Sequence, residues 1–213
     1  MFTIPSTVLR TQFVVEFVFN FIALLIQISL LYRICVNGLS RQLSGNLLIN
    51  IIFWLIVSAA GALHTGYMIH FFAFEPYWGP AVLWTGSFYY AALTCLSISI
   101  LFLLLERIYS LNAPVSFNRN REFLVRLTIG ITIGVGLFVQ FISPIRESVD
   151  QITLCPVFTC LLVRYRGYLM ATPRIICCFL NVFLAFVCWR KISAYQKTSG
   201  SNKNSRRVSS FVD

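Results

Sequence analysis

The stretch FYYAALTCLSISILFLLLERIYSLNAP, residues Phe88–Pro114, decides the fold. From Phe88 to Leu105 it carries no charge. Glu106 and Arg107 then stand side by side, and Pro114 follows seven residues after Arg107. A helix crossing about 30 Å of hydrocarbon at ~1.5 Å per residue needs an apolar run of this length, and it tolerates charge where the lipid ends.

Composition sets the same frame for the whole chain. Of the 213 residues, 58% are hydrophobic and 11% charged, and the mean hydropathy is +0.78. A water-soluble domain of this size could not cover that much apolar surface. Five runs are long enough to span: about 12–32, 46–72, 82–105, 123–142 and 167–189. The expected fold is an all-α membrane protein, a five-helix transmembrane bundle over residues 1–192. Residues 193–213 read as a disordered basic tail. The first run is too long for a cleaved signal and has no small-residue cleavage site after it.

Net charge is +10. In a soluble chain that would point to nucleic acid. Here the basic residues lie between and after the apolar runs, so topology accounts for them. With the amino terminus outside, the inner segments hold Arg33, Arg41, Arg107, Arg119, Arg121, Arg126, Arg190, Lys191, Lys197, Lys203, Arg206 and Arg207. The outer segments hold only Arg10, Arg146, Arg164 and Arg166. The positive-inside rule therefore favours an outer amino terminus and a cytoplasmic carboxyl terminus.

With that topology Glu106 and Arg107 meet the cytoplasmic interface. ERIYSLNAP resembles the Asp/Glu-Arg-Tyr motif and downstream loop proline of seven-helix G-protein-coupled receptors. Tyr109 stands one place later than the usual tyrosine, and Ile108 occupies that place. The aromatic-rich, cysteine-dotted style, with LLLERIYS closing the third span, is similar to the nematode serpentine chemoreceptors. The resemblance covers five spans, and its sharp motif is confined to Glu106–Pro114. It implies a receptor in the plasma membrane, by family resemblance in sensory-neuron cilia, that binds a small-molecule ligand and signals through a heterotrimeric G protein. Glu106 would be the resting-state lock on Arg107, and Arg107 the contact to the G protein, with Tyr109 and Pro114 completing the motif.

The departures are specific. Val82, Leu83 and Trp84 stand where such receptors carry a bridging cysteine. The second span has no acidic residue where such receptors carry one, offering polar Asn46, Asn50 and Ser58, and the fourth span has no tryptophan. No spanning run follows Trp189, so the chain reads as a receptor shortened after its fifth helix.

Other residues are candidates with a plain structural alternative. His64, His70, Trp84, Tyr89 and Arg174 could line a ligand pocket between the second, third and fifth spans; packed histidines and a snorkelling arginine are the alternative. Cys155 and Cys160 either pair with each other or stay free. Arg206-Arg207-Val208-Ser209 resembles a basophilic kinase site at Ser209. Cys188 could carry an acyl chain or remain a buried thiol. Gly130, Gly134 and Gly136 offer a small-residue face for packing within the chain or for a receptor oligomer. Glu16, Asn20 and Gln27 should face the bundle. No nucleophile–base pair, metal-ligand spacing or cofactor motif occurs, so enzymatic activity, a metal and a cofactor are not expected. A transporter would need polar groups continuing through several midplanes, and spans three and four offer mainly Thr, Ser and Gly. A non-signalling regulatory subunit is the remaining alternative.

Overall fold

A computed structural model describes residues 6–38, 43–73, 79–142 and 168–209, with side chains for 8–38, 43–70, 81–141 and 171–194. The elements are all helices: α1 Ser6–Val36, α2 Gly45–Ala73, α3 Gly79–Asn112, α4 Pro114–Ile142 and α5 Tyr168–Ser209. All five are long and apolar enough to cross a membrane. The chain is therefore a helical membrane bundle, as composition implies.

Every helix overruns the span expected from its apolar residues. Charge ends a hydrocarbon crossing, but it does not end a backbone hydrogen-bond ladder. Hence α3 continues past Leu105, and Glu106, Arg107 and Tyr109 lie within it. Helix α4 begins at Pro114, well before the expected start near Phe123. Proline suits the first helical position, because its missing N–H is one the helix would leave unpaired. Ala113 alone separates α3 from α4: its N–H donates to Tyr109 O at 3.0 Å, and its carbonyl accepts from Phe117 N at 2.9 Å. Helix α5 passes Trp189 and residue 193 and runs to Ser209. No proline follows Pro173, and Ala194, Gln196 and Lys197 are good helix formers. Pro173 itself sits inside α5 without ending it.

Helix α3 is the hub. It packs against α2, α4 and α5, while α1 packs chiefly against α2. Of the most apolar stretch of α3, 44% is buried, against 0% for α1. Polar contacts give the directions. Asn50 Nδ2 donates to Ser99 Oγ at 2.9 Å, and His64 pairs with Thr85, so α2 and α3 are antiparallel. Ser87 Oγ donates to Gln140 Oε1 at 3.2 Å and Asn120 Nδ2 to Tyr109 Oη at 3.3 Å, so α4 is antiparallel to α3. Asn181 Nδ2 donates to Ser97 O at 2.9 Å, and Lys191 Nζ donates to Asn112 Oδ1. Helix α5 therefore runs parallel to α3.

Much of what is buried is small or polar, Ala60, Ala91, Ala92, Ser58, Ser87, Ser99, Thr94, Thr128 and Thr132, beside larger groups such as Phe13, Met68, Val82, Leu96 and Val139. What is exposed is large and apolar, including Phe19, Ile26, Phe138, Phe179 and Val182. A water-soluble bundle would show the reverse. In lipid the hydrophobic effect does not separate inside from outside, so close packing of small residues decides the interfaces. The hydroxyls settle their own hydrogen bonds within a turn: Thr65 Oγ1 donates to Gly61 O, Thr94 Oγ1 to Tyr90 O, Ser97 Oγ to Leu93 O and Thr128 Oγ1 to Leu124 O.

Of the three candidate small residues on α4, only Gly136 is needed for packing inside the chain. A Cβ there would lie 2.5 Å from Cys95 Sγ, whereas one at Gly130 or Gly134 would meet nothing within 4 Å. Cys95 Sγ in turn reaches Thr132 O at 3.4 Å. Gly136→Ala should cost about 1–2 kcal/mol by overpacking, and adding Cys95→Ala should restore most of it. Gly134→Ala should be neutral or gain up to about 1 kcal/mol from helix propensity. Thermal unfolding in detergent micelles measures all three.

Candidate functional site

Two ends of α3 carry the chemistry, and they differ. At the Glu106 end, the serine before α2 organises the contacts. Ser44 Oγ accepts from Leu47 N at 3.2 Å, which caps the helix, and its hydroxyl donates to Glu106 Oε2 at 3.4 Å. Glu106 is only 4% exposed. Its carboxylate thus lies beside the first turn of α2, where unpaired N–H groups give a partial positive charge.

The expected Glu106–Arg107 ion pair is not formed among the described residues, where the salt bridge is Arg126–Glu122 at 3.4 Å. Neighbouring residues on a helix do not face each other. Glu106 points into the bundle and Arg107 is exposed. The acid is held instead by a residue 62 positions away. Tyr109 takes a packing role: it accepts the Asn120 hydrogen bond and meets Phe117 edge-on at 6.0 Å, bracing the α3–α4 corner that Pro114 begins. Arg121 Nη2 donates to Leu43 O at 3.0 Å and ties α4 to the segment before α2. Arg119 and Arg126 are exposed at the same end.

At the other end, three helices contribute to a polar seam. His64 of α2 is 6% exposed, with Nδ1 3.0 Å from Thr85 Oγ1 of α3. The Thr85 hydroxyl proton is directed to Ala81 O at 2.7 Å. With the proton so directed, Thr85 Oγ1 can accept from His64 Nδ1 when that nitrogen is the protonated one. The imidazole stacks on Tyr89 with centroids 6.2 Å apart. Tyr89 also lies beside Asn20 of α1 and within electrostatic reach of Glu16 and Arg174. Asn20 Nδ2 donates to Glu16 O at 2.8 Å, and Gln12 Nε2 to Glu16 Oε1 at 2.9 Å. Gly61 makes this approach feasible: a Cβ there would fall 2.6 Å from Asn20 Oδ1.

The five candidate pocket residues therefore divide. His64 and Tyr89 meet in the seam. Arg174 joins from α5, its guanidinium over the Tyr90 ring at 5.9 Å, in a groove of about 500 Å³ between α3 and α5. Trp84 is 47% exposed and faces away from the seam, and His70 is exposed. Their run is apolar on all sides, so the sequence carries no sign of which face turns inward. Cys188 is buried at 7% exposure, which fits a packed thiol and not an acylated one. Cys155 and Cys160 lie outside the described residues, as does the side chain of Ser209, which closes α5.

Sequence pattern alone does not single out Ser44, Gly61, Thr85 or Asn181. Ser44 comes nearest: a serine directly before an apolar run is a helix-start signal. Gly61, Thr85 and Asn181 depend on neighbours tens of residues away. Among the described residues no group of three or more His, Cys, Asp or Glu could hold a metal ion.

The seam can be tested by coupling. Thr85→Val and His64→Phe should each destabilise the bundle. Their double mutant should show an interaction of about 0.6 kcal/mol, at most about 1.7, by unfolding in mixed micelles. Strict additivity would show that the pair contributes nothing.

Comparison with known proteins finds no matching family model, no matching curated protein and no matching solved structure.

Proposed function

We propose that this chain is a chemosensory receptor of the seven-helix superfamily, in a shortened form, which takes up a small molecule beside α2, α3 and α5 and signals to a heterotrimeric G protein through Arg107. The observation that carries the reading is the split at Glu106–Arg107. The acid is buried against the head of α2, while the arginine beside it is exposed at the end of the most buried helix. The resemblance of ERIYSLNAP to the receptor motif adds to it. The bias of basic residues supports an outer amino terminus and a cytoplasmic Arg107. Placement in the plasma membrane of sensory cilia rests on the resemblance alone.

The mechanism follows from one continuous helix. Thr85 and Glu106 lie on α3 about 30 Å apart at ~1.5 Å per residue. A ligand that alters the His64–Thr85–Tyr89 contacts shifts α3 against α2. The Ser44–Glu106 hydrogen bond, already long at 3.4 Å, is the contact at the far end that such a shift breaks. A ligand favouring the broken arrangement would bias the population towards it. This differs from a lock between Glu106 and Arg107: here the acid restrains α2, and the arginine stays available throughout.

A second reading has its own observation. The apolar stretches of α1 and α5 are 0% and 6% buried, which suits a non-signalling subunit that lays these faces against other membrane helices. Nucleotide exchange on a co-expressed G protein separates the two. In the receptor reading Ser44→Ala raises basal exchange several-fold, and Arg107→Ala removes it at equal surface expression. Exchange indistinguishable from cells lacking the chain, in wild type and both variants, sinks the receptor reading and favours the subunit.

A further inference from the structure

We infer that the groove between α3 and α5 binds the head and first carbons of a long-chain fatty acid, with Arg174 holding the carboxylate. The inference deepens the ligand half of the receptor reading and uses nothing of its G-protein half.

The groove is about 500 Å³ and is lined chiefly by Tyr90 of α3 and by Arg174, Ile175, Cys178, Phe179 and Val182 of α5. The α5 residues recur at three- and four-residue intervals, so they form one face of the helix. Arg174 is the one charged residue among the described lining, and it stands near one end, with Ala171 before it on α5. The remaining wall is apolar from Ile175 to Val182, about 12 Å along the axis from Arg174 at ~1.5 Å per residue. A cation at one end of an apolar trough is complementary to an anion at one end of a hydrocarbon chain.

The arginine is prepared for that anion. Its guanidinium sits over the face of Tyr90 at 5.9 Å. A ring face attracts the cation without offering it a lone pair, so the fork of N–H groups suits a planar, two-oxygen partner, which a carboxylate supplies. Among the described residues no carboxylate pairs with it; the salt bridge there is Arg126–Glu122.

Depth and access select the source. Arg174 stands six residues into α5, which starts at Tyr168, about 9 Å along the axis, with no other charged residue between. A phospholipid phosphate is carried farther out by its glycerol, whereas a fatty-acid carboxylate is attached directly to its chain. Phe179 and Val182 are 74% and 72% exposed. The trough is therefore open along its side to the surrounding hydrocarbon, and an occupant can enter laterally from the bilayer.

The test uses the full chain in phosphatidylcholine nanodiscs with a diazirine-bearing palmitate as probe. Saturable labelling is expected on the peptide spanning residues 171–182. Oleate should compete at least about tenfold better than oleyl alcohol, the increment of a charged hydrogen bond. Arg174→Gln should abolish that preference, and Val182→Trp, which fills the trough and keeps the charge, should reduce labelling. No saturable labelling, equal competition by acid and alcohol in the wild-type chain, or displacement by phosphatidylserine as effective as by oleate overturns the proposal. The acid–alcohol comparison needs no variant to fold. Because G protein is absent, failure here leaves the exchange experiment above to decide the receptor reading separately.

Discussion

Hydrocarbon offers no hydrogen-bond partner, and most of this structure follows from that one fact. Backbone groups in the spans pair within helices because nothing outside could pair with them. The same demand reaches the side chains. Thr65, Thr94, Ser97 and Thr128 return their hydroxyl protons to carbonyls one turn back. Asn50, Asn181 and Gln140 each reach α3 instead, while the Asn20 amide turns back to Glu16 O within α1. The polar residues are thereby sorted: these hydroxyls settle within a turn, whereas several amides reach across to another helix. Helix α3 is where most of them converge.

This sorting gives α3 two unlike ends. Near Thr85 its neighbour is the His64 imidazole of α2, with polar groups of α1 behind it. Near Glu106 its neighbour is the start of another helix, whose unpaired N–H groups favour a negative charge. The middle is a close-packed zone of Ala, Ser and Cys, where Gly136 admits the Cys95 sulfur. A rigid middle between two polar ends lets a displacement at one end be felt at the other, since a tightly packed interface slides as a unit more readily than it deforms.

How much of this was readable depended on range. The five spans were legible because each is a continuous run of uncharged residues, and the fold class followed. Helix ends were not, because capping and not charge terminates a helix; Pro114 marked a start where a loop was expected. The adjacency of Glu106 and Arg107 suggested an ion pair, yet the real partner of the acid, Ser44, lies 62 residues earlier. The inward placement of Glu16 and Asn20 was legible from the cost of burying them in lipid. The outward placement of Trp84 was not, because α3 is apolar on every side there.

The single residue between α3 and α4 bears on how the bundle comes together. Closing a connection costs chain entropy that grows with its length, and Ala113 leaves almost none to lose. Helices α3 and α4 are thus a hairpin whose partners can scarcely separate once both have entered the bilayer. The hub helix thereby keeps α4 beside it at little further entropic cost. Other helices are held to it by polar contacts, with α3 offering Asn50 and Asn181 the acceptors they need. A proline at the head of α4 thus helps to make the tightest corner of the described bundle.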